Sequence, residues 1–136
     1  MKLLMIYSNS FSYKTTTKTL ENFPDINEEK EIKDSLAGFI HVEEKDEENK
    51  AKTVTKLIKN LKWAANKNGT KKIILHSFAH LSESKAAPEI TKEIFDNAEE
   101  RLLNSGFEVW QTPFGYFLDL KVDAPGYSQA RIFKSF

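Results

Sequence analysis

Positions 76 to 84 read HSFAHLSES and put two histidines and three serines into nine residues directly after an apolar run, KKIILH. In α/β sheets the ends of buried strands are where ligands usually sit, so this is the first place to look for chemistry. His76 and His80 are four apart, the spacing that lets two imidazoles share a zinc ion on one helical face. Ser77, however, stands where a zinc hydrolase would carry its glutamate, and the segment does not read as helical, so no metal site is assigned. The chain has no cysteine, no glycine-rich phosphate loop, no serine nucleophile elbow and no paired-carboxylate motif, and no cofactor is called for. A plain structural role is also open: His80 bonding a backbone carbonyl at the strand end, with Ser82 or Ser84 capping the next helix.

A second group lies at 112 to 121, TPFGYFLDLK. Gly115 permits a tight turn or the close approach of a ligand. From Tyr116 the residues alternate, with Leu118, Leu120 and Val122 on one face and Phe117, Asp119, Lys121 and Asp123 on the other. This pattern fits a half-buried edge strand. Aromatics at a strand entrance also leave open a wall on which a nucleobase stacks, a contact that needs no excess of positive charge.

The elements that would position these groups follow from the hydrophobic pattern. Leu3 to Tyr7 and Leu36 to Val42 are short apolar runs of strand length. The polar stretch between them, with Phe23-Pro24-Asp25, reads as a turn-rich excursion that includes a hairpin partner at Ser12 to Thr19. From Asn49 to Asn66, Val54, Leu57, Ile58, Leu61, Ala64 and Ala65 recur at helical steps, and Asn68-Gly69 stops the helix. Lys71 to His76 is a buried strand. A second helix starts near Pro88, carries Ile90, Ile94, Ala98 and Leu102 on one face, and ends at Gly106. Phe107 to Trp110 and Gly115 to Asp123 complete the set as strands. The reading is an α/β fold with a mixed β-sheet and two main helices, because the last two strands are too close for a helical crossover.

At 136 residues the chain has the size of one domain. Twenty Lys plus Arg balance twenty Asp plus Glu, so a strong basic field is absent and the lysine face of the first helix reads as a solvated surface with acids interspersed. Asn68-Gly69-Thr70 matches a glycosylation sequon, but the opening MKLLMIYSNS has too short an apolar run for a signal peptide or membrane span. A cytoplasmic protein is expected.

Four stretches, LLMIYSN, AGFIHVE, FAHLSES with Pro88 following, and GFEVWQTPFGYF, occur in an order and spacing that resembles the N-terminal editing domain of archaeal threonyl-tRNA synthetases. FAHLS and PFGY are the most specific of these. The resemblance implies the fold of the D-aminoacyl-tRNA deacylases, a homodimer, and hydrolysis of the ester in mischarged Ser-tRNA(Thr). Ser and Thr differ by one methyl group, a difference that supports only about 10- to 200-fold discrimination in a single binding step, so a second, hydrolytic site multiplies fidelity. The partners implied are the aminoacyl-tRNA acceptor end and a synthetase catalytic domain in cis or in trans.

Carried over by motif, Phe78, Ala79 and His80 fall in the strand-end loop, and His80 is the one catalytic candidate among them. Phe114, Gly115, Tyr116 and Phe117 form the adenosine-side wall, and Val42 lies at a backbone contact. The family's motif continues from PFGY into Tyr-Lys, and that lysine is its principal catalytic side chain; Phe117-Leu118 stand there instead. Arg131 occupies the position of a family acid, Ser77 that of a proline, and Tyr7-Ser8-Asn9 that of His-Ser-Asp. Lys121 lies three residues beyond Leu118, on the opposite face unless the strand bulges, and Arg131 is a second candidate for a replacement cation. Three readings stand: a deacylase with altered chemistry, a tRNA-binding or structural domain without activity, and a deacylase of different aminoacyl specificity.

Overall fold

The computed structural model describes residues 1–136. Its strands are β1 (Lys2–Lys18), β2 (Glu29–His41), β3 (Lys72–Ser77), β4 (Glu108–Gln111), β5 (Tyr116–Asp123) and β6 (Arg131–Ser135), and its helices are α1 (Lys50–Lys67) and α2 (Pro88–Asn104). The sheet order is β4-β3-β2-β1-β5, and β6 also pairs with β1. β2, β3 and β4 run parallel; β1 is antiparallel to its neighbours, its first half paired with β6 and its second half with β5. No helix is long and apolar enough to cross a membrane.

Both helices, β3 and the segment from Pro88 lie where the sequence pattern puts them. Asn68 closes α1, and Gly69 follows with φ 67°. Three features differ from expectation. β1 is one long strand that joins the expected run Leu3 to Tyr7 to the expected hairpin partner at Ser12 to Thr19, and its partner β2 begins at Glu29 rather than Leu36. β6 has no counterpart in the sequence reading, because RIFKS is mostly exposed and shows no strict alternation. β4 and β5, although joined by only four residues, are not sheet neighbours; they lie on opposite sides of the sheet.

That last feature dictates the shape. By register, Gln111 at the end of β4 lies level with Leu75, Gly38 and Met5, whereas Tyr116 at the start of β5 lies beside Lys18. Met5 and Lys18 are about 43 Å apart on a straight strand. The link from Gln111 to Tyr116 can span only about 18 Å. The outer half of the β1–β2 hairpin must therefore curl back over the face of the sheet that the helices leave open.

The bend is made at Asn9 and Asp34. In β1 the residues packed toward the open face are Leu4 and Ile6 before this point and Phe11 and Tyr13 after it, so the alternation reverses. β2 reverses with it, from Ile32 to Ala37 and Phe39. The pairing register is kept, Ser8 with Ser35 and Ser10 with Lys33. Asp34 has φ 51°, left-handed geometry that short polar residues tolerate better than most.

Two cores result. On one face α1 and α2 cover Leu3, Met5, Leu36, Ile40, Ile73 and Leu75. On the other, the curled hairpin encloses Phe11, Tyr13, Ile32, Ala37, Phe39 and Ile74, with Leu118 and Leu120 packed at the edge. Phe114 fastens the curl. Its ring meets Phe23 of the hairpin tip at 5.0 Å and Phe95 of α2 at 6.2 Å. Gly115, with φ 84°, lets the chain pass Leu20 where an added Cβ would come within 3.1 Å, and its carbonyl accepts from Thr19 N–H at 2.7 Å.

Phe114→Ala should thus cost about 3 to 5 kcal/mol of unfolding free energy, the usual penalty for emptying a buried aromatic site. Phe117→Ala, at a ring that is 61% exposed, should stay within about 0.5 kcal/mol of the parent. Denaturant melts of the two variants check the contrast.

Candidate active site

A cavity of about 540 Å³ opens where β2 and β3 end, between the 78–87 loop, the start of α2, the 112–115 link, β5 and the hairpin tip. That volume suits a ligand of nucleoside size.

The 78–87 loop has no regular structure and is held by fixed polar contacts to the end of β2. His41, buried, uses both ring nitrogens: Nδ1 accepts from Leu81 N–H at 3.0 Å, so Nε2 carries the hydrogen that it donates to Ser84 O at 2.7 Å. Ala86 N–H donates to Val42 O and Phe78 N–H to Ile40 O, each at 3.0 Å. Ser82 Oγ donates to Glu43 Oε2 at 2.8 Å, and Glu44 N–H donates to Ser84 Oγ at 3.0 Å. Neither serine caps α2, whose N-cap is Ala87 with no side-chain cap. The histidine that bonds a backbone carbonyl is His41, not His80.

Glu43 in turn faces the Met1 ammonium, 2.7 Å from Oε1; the same ammonium bonds Asp46 and the carbonyl of Phe136. Burial alone would raise the Glu43 carboxyl. Hydrogen bonds from the N-terminus and Ser82, together with nearby positive charge, outweigh it and hold the group at about 2.

All eight residues assigned to binding line the cavity: Val42, Phe78, Ala79, His80, Phe114, Gly115, Tyr116 and Phe117. Their situations differ. Phe114 is packed away, whereas Phe117 exposes most of its ring. Tyr116 is fixed by its hydroxyl, which accepts from Ile26 N–H at 2.8 Å. His80 is exposed and makes no hydrogen bond; its ring lies edge-on to Phe78 at 4.9 Å. The backbone N–H groups of Ala79 and His80 have no partner within the chain.

His76 is buried among Phe11, Phe39 and Phe78, with Nδ1 2.9 Å from Thr112 Oγ1. Burial pushes its pKa down to about 4, so the ring is neutral at pH 7. No group of three or more His, Asp or Glu is placed to hold a metal ion.

Leu118 and Leu120 form an apolar floor. The pairing of β5 with β1 is regular from Leu118 to Asp123, and the irregularity falls earlier, at Thr15 to Lys18. Lys121 therefore stays on the far face, in a groove with Ser12, Lys14 and Glu31. Arg131 does not line the cavity either. It starts β6 opposite Ile6, exposed, with its guanidinium 3.5 Å from Ala124 O. Within the chain, neither replaces a cation at position 118. Lys85 is the one lysine or arginine in the lining, and no carboxylate lines the cavity.

Sequence reasoning missed His41, Thr91, Thr112, Lys85 and the tip residues Thr19 and Leu20. His41 sits inside the apolar run LAGFIHV and bonds only main chain, so no motif marks it. Thr19 and Leu20 reach the cavity through the curl.

The architecture is shared with a solved structure described as c-Myc DNA Unwinding Element Binding Protein, with a TM-score of 0.70 over 100% of this chain and 99% of that one, at 12% identity. It is the mixed-sheet, D-aminoacyl-tRNA deacylase-like fold that the motifs imply. The family is narrower than the fold: residues 1–136 match the model for the archaea-specific editing domain of threonyl-tRNA synthetase, and the chain belongs to that family. Similar relatives include threonine-tRNA ligases of Thermococcus onnurineus, 34% identical over 135 residues, and of Methanosphaera stadtmanae, 34% over 130. These alignments cover 97% and 93% of this chain but only 22% and 21% of the relatives. The chain thus spans about a fifth of their length.

Acid should destabilise the protein in two windows. Between pH 6.5 and about 4 the unfolded chain takes up a proton at His76 that the folded chain refuses, so stability falls as pH drops. Glu43 contributes above about pH 4.5 and loses its contribution as pH falls toward 2. Denaturant melts across pH should show His76→Gln flattening the first window and Glu43→Gln the second. Glu43→Gln should also cost roughly 3 kcal/mol at pH 7, as when one partner is removed from a buried ion pair.

Proposed function

We propose that this chain is the editing unit of a longer threonyl-tRNA synthetase, and that it hydrolyses the ester of Ser-tRNA(Thr) in the cavity between FAHLS and PFGY. The observation that carries the reading is the meeting of these two motifs at one cavity, with the N–H groups of Ala79 and His80 unpartnered beside it.

Ester hydrolysis needs an attacking water, donors for the oxyanion and a firm hold on the leaving nucleoside. The paired N–H groups of Ala79 and His80 serve as the oxyanion donors, fixed in place because His41 and Glu43 immobilise the rest of the loop. The exposed ring of Phe117, beside Tyr116, provides a stacking face for the terminal adenine. A cavity without carboxylates does not repel the acceptor end. Leu118 supplies neither charge nor proton, so water activation falls to the substrate's own groups and the reaction is slow. In this reading the unit works as a homodimer, in the cytoplasm.

The second reading is a domain that binds the acceptor end without cleaving it. Leu118 on the floor and Arg131 outside the cavity favour it.

Deacylation assays on Ser-tRNA(Thr) and Thr-tRNA(Thr) separate the two. Hydrolysis of the seryl ester above the spontaneous rate, sparing the threonyl ester, is expected. Leu118→Lys should raise the rate by about tenfold, short of the hundredfold or more of a fully positioned proton-transfer group. A native rate equal to the spontaneous one refutes the hydrolytic reading and leaves the binding domain.

A further inference from the structure

We propose that the exposed face of α1, with the neighbouring Lys134, is a second RNA-contact surface that grips the phosphate backbone of a tRNA stem. The proposal rests on the reading that this chain handles aminoacyl-tRNA, but it concerns a face away from the cavity.

Lys52, Lys56, Lys59, Trp63 and Lys67 follow one another at steps of three or four residues and are all exposed, so they form a single stripe opposite the buried Val54, Leu57, Ile58 and Leu61. The stripe is about 22 Å long. Lys52, Lys56 and Lys59 recur about once per helical turn, a spacing comparable to that of successive phosphates along a strand, and Lys67 follows about two turns later, beyond Trp63. Trp63, 44% exposed, lies on the stripe with the ammonium groups of Lys67 and Lys134 each 6.0 Å from its ring centre. None of Lys52, Lys56, Lys59, Lys67 or Lys134 takes part in an ion pair.

The acids expected to be interspersed are elsewhere. α1 contains no Asp or Glu at all. α2, packed beside it, carries Glu89, Glu93, Asp96, Glu99 and Glu100, and the turn before α1 carries Glu44, Asp46, Glu47 and Glu48. The zero net charge is therefore a sum over segregated surfaces, and a polyanion meets a positive face at α1 alone among the helices. The groove on the outer hairpin, by contrast, sets Lys14, Lys30 and Lys121 against Glu29, Glu31 and Asp119. Two aromatic rings lie beside these lysines, Trp63 and the half-buried Phe136, with Lys56 Nζ 6.0 Å from the Phe136 ring centre. Each is faced by ammonium groups, and they do not make the contiguous apolar patch that a lipid surface or a packed protein partner needs. The stripe suits a sugar-phosphate strand, where affinity comes from neutralised phosphates and one flat apolar contact. α1 begins at Lys50, after the acidic turn Glu44–Asn49 that follows Val42 at the cavity, and none of its residues lines the cavity.

The test uses the 136-residue chain with uncharged tRNA(Thr) and, separately, the trinucleotide CCA, which is long enough for the cavity but not for α1. Lys56→Ala/Lys59→Ala should weaken tRNA binding about tenfold at about 50 mM salt and make the log–log salt dependence shallower by about two. CCA binding should not change. Trp63→Ala should weaken tRNA binding by the same factor at every salt concentration. Lys14→Ala/Lys121→Ala should leave it intact. An unchanged affinity and salt slope in Lys56→Ala/Lys59→Ala overturns the proposal, as does no binding of tRNA by the parent chain. Polyglutamate bound as tightly as tRNA overturns it in favour of an acidic protein partner. Failure of CCA to bind while the lysine-dependent tRNA binding persists refutes the cavity reading and leaves this one standing.

Discussion

Four residues, Thr112 to Gly115, must carry the chain from one edge of the sheet to the far end of a long hairpin. A link this short has no slack, so the hairpin has to come to it, and the rest of the architecture follows. The bend at Asn9 and Asp34, the second core under the curl and the aromatic clasp around Phe114 all exist because β4 and β5 are tied so closely. The cavity is a by-product of the same constraint. Its wall from the hairpin tip and its wall from β5 would be far from the ends of β2 and β3 if the sheet were flat.

The opposite wall is organised on another principle. An irregular ten-residue loop is kept in one conformation by His41, Ser82, Ser84 and Glu43, all of which bind main chain or one another. Such a scheme leaves the loop's own N–H groups at Ala79 and His80 free for a ligand. These N–H groups are main chain, so a change of side chain at position 118 does not remove them.

Much of this was legible in the residues. α1 announced itself by periodicity and a stop at Asn68-Gly69, β3 by a buried apolar run, and the cavity by two motifs that align with a known family. What escaped was non-local. The polar run Ser8-Asn9-Ser10 looks like the end of a strand, because a strand that turns its inner face outward breaks its own alternation there. β6 is held mainly by pairing with β1, 131 against 6 and 135 against 2, and carries little pattern of its own. The position of Arg131 could be learned only from that pairing, and the role of His41 only from its main-chain partners.

The separation of charge between the two helices has a consequence for how the molecule meets other charged bodies. A neutral particle exerts no long-range pull on an approaching polyanion. A neutral particle with a positive flank along α1 and a negative one along α2 still experiences a torque in the polyanion's field. It is turned before it is touched, so orientation is selected during the approach, over distances set by the ionic strength.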